Sequence, residues 1–132
     1  NDLERIGDLA VNIAGVQKRL AGNPASPVLD EPFRDLGEKA RAMLRQSLEA
    51  LMELDADRAR AVLQADDEVD DGYYRFVDLL NGEMTKDPEK GRVIFSWMMA
   101  AKSIERVADL ATNIAEDTIY TVEGDIVRHG QG

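Results

Sequence analysis

Apolar residues return every three to four positions over four stretches of the chain, and strand-like alternation is nearly absent. Leu3, Ile6, Leu9, Ala10, Ile13, Val16 and Leu20 keep a helical period, which predicts a first helix over about 2–20. The segment Gly22-Asn23-Pro24-Ala25-Ser26-Pro27 breaks it, because two prolines and a glycine do not continue a helical ladder. Phe33, Leu36, Ala40, Leu44, Leu48 and Leu51 set the seam of a second helix over about 31–54. Asp55 or Asp57 supplies the N-cap of a third, which runs to about Met84. Asp87-Pro88-Glu89 joins a capping acid to a proline at the first helical position and an acid in the first turn. A fourth helix is therefore predicted from there to about Val122, with Gly124 as its stop.

Short connections make consecutive helices pack antiparallel, so the fold class is all-α, an antiparallel bundle of four long helices. A helix of ~30 residues is about 45 Å long, which makes the bundle elongated. The expected division is a leading helical segment over 1–22, a three-helix unit over 30–123 and a flexible tail over 124–132.

The stripes also sort the charged residues. On the third helix Ala59, Val62, Leu63, Val69, Tyr73, Phe76, Val77 and Leu80 share one face, with Asp66 near its middle and Asp70 at its edge. An ionised acid in an apolar seam is costly without a partner, so Asp66 stands out. Asp67, Glu68 and Asp71 read as solvated acids. On the fourth helix Trp97, Ala101, Ile104, Ala108, Ala111, Ala115, Ile119 and Val122 form the main stripe. Val107, Leu110 and Ile114 widen it toward a second neighbour, Glu105 and Asp109 line the other margin, and Arg106 projects away. Trp97, Met98 and Met99 read as core filler.

Composition narrows the function. The 132 residues carry 26 acids against 16 bases, a formal net charge of −10. Such a surface repels nucleic acid, whose phosphates need clustered Lys and Arg, and favours cations or basic protein patches. Hydrophobic residues make up 44% of the chain, enough for a core. No apolar run approaches the ~20 residues of a membrane span, so the chain is not read as an integral membrane protein. The absence of cysteine excludes thiolate ligands and nucleophiles, and the one histidine, His129, reads as a solvated tail residue. Asn1 in place of a start methionine gives the expectation that the chain is part of a longer one.

One polar pattern is repeated. Glu4-Arg5-Ile6-Gly7-Asp8-Leu9-Ala10-Val11-Asn12-Ile13-Ala14 returns in register as Glu105-Arg106-Val107-Ala108-Asp109-Leu110-Ala111-Thr112-Asn113-Ile114-Ala115. Packing preserves apolar spacing but does not demand the same acids, Arg and Asn twice, which indicates a duplicated unit. In each copy the two acids are four residues apart, on one helix face. Folding the third and fourth helices about the Gly82–Pro88 turn brings the midpoints of Asp66/Asp70 and Glu105/Asp109 to within about 4.5 Å along the axis. Four carboxylates without His or Cys make an oxygen-only donor set suited to Mg²⁺, Ca²⁺, Mn²⁺ or oxidised iron and poor for zinc. The bland alternative is a solvated, salt-bridged helix face. No phosphate loop, serine elbow or HExxH appears, so an enzyme is not expected.

Glu105-Arg106-Val107-Ala108-Asp109, Ala111-Thr112-Asn113-Ile114-Ala115-Glu116 and the following Tyr120-x-x-Glu123-Gly124 resemble the last helix of the PhoU family. Asp66-Asp67-Glu68-Val69-Asp70 resembles that family's acidic segment on the preceding helix, and Leu3–Ala14 the end of its first repeat. The resemblance implies two three-helix repeats, of which this chain holds the last helix of the first and all of the second. It also implies metal-binding E/DxxxD helices: Asp66, Asp70, Glu105 and Asp109 as one complete site, Glu4 and Asp8 as half of another. The implied role is a cytoplasmic, non-catalytic adaptor in phosphate uptake and phosphate-starvation signalling, between a phosphate transporter's ATP-binding subunit and a sensor histidine kinase. A carboxylate-bridged metalloenzyme or metal-storage bundle is the alternative. Leu9 and Leu110 stand where many members have His, and Ala108 where they have Gly, which leaves the metal's identity open. A leading helix without its two repeat partners would expose an apolar face, from which a homodimer is expected.

Overall fold

The computed structural model describes residues 27–130, and side chains within 28–124. The expected helix over 2–20, with Glu4 and Asp8, lies outside the described residues. Within them the chain forms three long helices, α1 (Pro27–Glu53), α2 (Ala56–Lys86) and α3 (Gly91–Gly130), with a 3₁₀ turn at Pro88–Lys90 before the last.

The helices begin and end where local chemistry dictates, with two departures from expectation. α1 starts at Pro27 rather than near Glu31. A proline in the first turn has no intrahelical N–H bond to lose, so the proline-rich segment that breaks the pattern also opens the next helix. α3 does not stop at Gly124 but runs on to Gly130. Glycine ends a helix by taking a left-handed conformation, and no described glycine does so.

The α1–α2 turn is closed by Leu54, which adopts that left-handed conformation with φ 53°. The Asp55 N–H donates to the Ala50 carbonyl at 2.9 Å and the Leu54 N–H to Leu51 at 3.4 Å, the two bonds of a Schellman motif. Asp55 then caps α2, its carboxylate accepting from the Arg58 N–H at 3.0 Å. At the other turn the Asp87 carboxylate accepts from the Glu89 N–H. Arg60, in the first turns of α2, pairs with Glu123 far along α3, as an antiparallel arrangement of the two requires.

All three helices meet around one core. Phe33, Phe76 and Trp97, one from each helix, have ring centroids 5.0 to 6.0 Å apart in tilted and edge-on contacts. Ala100, Ala101, Ala108, Ala111 and Ala115 are buried, and their small side chains let α3 approach both neighbours closely. The seam of α1 is rotated from the expected one. Leu29, Phe33, Leu36, Ala40, Met43, Ser47 and Ala50 are buried, whereas Leu51 is 40% exposed. Ser47 is tolerated there because its hydroxyl donates to the Leu44 carbonyl at 2.7 Å. Leu44 and Leu48 instead pack against Leu110 and Ile114, the second contact face expected for α3. Met99 is 47% exposed and not core filler, while Trp97 is buried. No described helix is long and apolar enough to cross a membrane.

Candidate functional site

Asp66 and Asp70 are one turn apart on α2, and Glu105 and Asp109 one turn apart on α3. Antiparallel packing brings the pairs within electrostatic reach. Burial foremost, then the charges of Asp70, Asp109, Asp67 and Glu105, push the Asp66 carboxyl up to about 6. Asp70 is raised by burial, then by Glu105 and Asp109 across the helix interface. Asp109, exposed at the rim, is raised by partial desolvation and by Glu105, with Lys102 opposing. Asp67, Glu68 and Asp71 are exposed, as expected of solvated acids, and so is Arg106.

Asp66 is the most constrained of the four. Its Oδ1 atom is buried with no hydrogen-bond partner. A carboxylate oxygen cut off from water and unpaired is costly, and a protonated acid or an added cation would relieve it.

Sequence reasoning missed one member of this cluster. Lys102 lies three residues before Glu105, and its ammonium donates to Glu105 Oε1 at 2.7 Å. The same nitrogen sits 5.6 Å from the centroid of the Tyr73 ring on α2. The i, i+3 spacing of Lys102 and Glu105 was the available signal. Leu110, which stands where many PhoU-like sequences have histidine, is buried and faces α1 through Leu44 and Leu48.

The donor set is all oxygen, and the orphaned Asp66 oxygen suits a hard cation. Among the described residues, however, no three acidic or histidine side chains already surround a common point in a way that would hold a metal ion. The donor chemistry suits such an ion, but the side chains as placed do not enclose one. Asp66, Asp70, Glu105 and Asp109 are the side chains that would hold it.

The PhoU domain model matches residues 33–118. The chain is 37% identical over 93% of its length to the phosphate-specific transport system accessory protein PhoU homolog of Clostridium acetobutylicum, covering 56% of that protein. It is 32% identical over 99% of its length to the phosphate-specific transport system accessory protein PhoU of Escherichia coli K12, covering 54% of it. The crystal structure of PhoU from Pseudomonas aeruginosa superimposes with a TM-score of 0.84 at 36% identity, over 93% of this chain and 59% of that one. The chain spans about half the length of the curated relatives it matches. With the domain model matched over most of the chain and the bundle shared with a solved relative, this protein belongs to the PhoU family.

Proposed function

We propose that the chain is part of a regulator of phosphate uptake and phosphate-starvation signalling, acting in the cytoplasm as a non-catalytic adaptor. The observation that carries this reading is the match to accessory proteins of the phosphate-specific transport system over nearly the whole chain. The partners in this reading are the transporter's ATP-binding subunit and a sensor histidine kinase. An acidic, long-helical surface suits docking to basic protein patches. The acid face of α2 and α3 is read as its cation site, holding a hard metal ion on Asp66, Asp70, Glu105 and Asp109. When bound, such an ion would supply positive charge that lets facing carboxylates stay ionised together and ties the two helices. The buried, unpartnered Asp66 oxygen supports this.

Affinity capture of the tagged chain from phosphate-replete cells tests the adaptor reading. Recovery of the transporter's ATP-binding subunit or of the kinase is the expected result. Recovery of neither, together with metal-dependent turnover or oxygen consumption by the purified protein, would replace it with the metalloenzyme reading.

A further inference from the structure

The outward sides of α2 and α3 carry a further pattern beside the acid cluster. On α3 Phe95, Met99, Lys102 and Arg106 recur at helical spacing, and on α2 Asp67, Asp71, Tyr74 and Asp78 recur at the same spacing, so each set forms one stripe. All of these side chains are exposed, Phe95 to 65% and Tyr74 to 64%. The two stripes lie side by side. A Cβ at Gly91 would stand 3.6 Å from the Met84 methyl, and the same number of residues farther along each helix Lys102 meets the Tyr73 ring. This register sets Tyr74 level with Ala101 and Asp78 level with Trp97, beside the turn that carries Phe95 and Met99. Tyr74 in turn meets Tyr73 edge-on, with 5.5 Å between centroids. The result is an exposed apolar strip bordered by acids, and exposed apolar surface with a polar rim marks interaction sites.

We infer that this face docks an amphipathic helix of a partner protein, one with large apolar side chains along its centre and Lys or Arg on the flank that lies over α2. The inference rests on the adaptor reading and deepens it by naming the docking surface and the chemistry of the docked segment. Phe95, Met99 and Tyr74 supply the contact area, since methionine adapts to irregular apolar surfaces and aromatic rings anchor interfaces. Asp67, Asp71 and Asp78 supply the charge. Among the described residues none of the three is in an ion pair, so each is open to a basic partner. The α3 stripe carries Lys102, already held by Glu105, and Arg106, so the partner's bases lie over α2 and not over α3. The same acids repel an anionic lipid surface, and a net charge of −10 disfavours a second copy of the chain. None of these residues belongs to the four acids read as the cation site, so docking does not depend on a metal ion.

Photocrosslinking tests this. The full chain with Phe95→p-benzoylphenylalanine is irradiated in phosphate-replete cells, and the linked peptide is sequenced by mass spectrometry. The expected link is to one segment, in the transporter's ATP-binding subunit or the kinase, with apolar residues at helical spacing and Lys or Arg on one flank. Adding Asp71→Asn and Asp78→Asn is expected to lower the yield of that link about fivefold or more, as loss of two charges at an interface rim does. Met99→Ser is expected to lower it about threefold or more by removing apolar contact. Glu31→Gln with Glu38→Gln removes the same charge from exposed positions of α1 and is expected to leave the yield within about twofold. Every substituted side chain is exposed, and circular dichroism checks that helicity is kept. A link to an acidic segment, to lipid or to a second copy of this chain would overturn the inference, and so would equal losses from the α2 and α1 pairs. Capture of either partner by the unmodified chain, with no link from position 95, would overturn it while leaving the adaptor reading intact. If capture recovers neither partner and no link forms, the adaptor reading falls and this inference with it.

Discussion

Asp70 lies one turn after Asp66 on α2, and its charge adds to burial in holding the Asp66 carboxyl at about 6. The ordinary value, 3.8, applies to the unfolded chain. Protonation therefore favours the fold. Below about pH 4 Asp66 is protonated in both states and carries no penalty. As the pH rises toward about 6 the unfolded chain ionises freely while the folded one resists, and stability falls; above that the penalty is constant. After allowance for partial solvent screening this amounts to about 1–2 kcal/mol at neutral pH.

Asp66→Asn is accordingly expected to stabilise the chelator-treated protein at pH 7.5 by about 1–2 kcal/mol. The advantage should shrink at pH 5. Urea denaturation of both proteins at the two pH values measures it, and an advantage independent of pH would assign the effect to packing instead.

Backbone conformation gives a pair of substitutions with opposite logic. Leu54 holds a left-handed conformation with φ 53°, which costs a side-chain-bearing residue about 1–2 kcal/mol. Its side chain is 53% exposed and returns little by packing. Leu54→Gly is expected to raise stability by about 1 kcal/mol, part of the relief being offset by the freer unfolded chain. Gly82 is helical, and a Cβ there would meet nothing within 4 Å. Gly82→Ala is expected to add about 0.5–1 kcal/mol. Thermal melts check both; a loss at either position would contradict the geometry given for it.

The core makes a third expectation. Phe33 meets Phe76 and Trp97 and is 2% exposed, so Phe33→Ala is expected to cost about 3–5 kcal/mol. Ala108 is 1% exposed, among the buried small residues of α3. Ala108→Leu is expected to cost about 1–3 kcal/mol by overpacking. Chemical denaturation measures each, and an Ala108→Leu protein as stable as wild type would mean that the helices separate freely.

The three described helices were legible because their apolar spacing is long and regular, and Asp55 and Asp87 cap as their positions suggest. Gly124 misled as a stop because glycine permits a break without requiring one. The seam of α1 was misplaced because leucine was weighted over small residues. Ser47 and Ala50 are buried because α1 packs closely there, and that is a property of the neighbouring helix surface, not of the α1 sequence. At the site, the four acids could be placed from helical spacing and the position of one turn. Lys102 was missed because attention to matching acids passed over the neighbouring base that pairs with one of them. Whether Oδ1 of Asp66 finds a partner depends on every side chain around it, which spacing does not encode.

The proposed role of the acids of α2 and α3 as one cation site has a direct test. Elemental analysis of purified protein, wild type against Asp66→Asn and Glu105→Gln, tests it most directly. Iron, manganese, magnesium or calcium is expected in a fixed ratio to wild-type protein, and its loss from both variants at unchanged helicity. Equal metal content in all three proteins would contradict it.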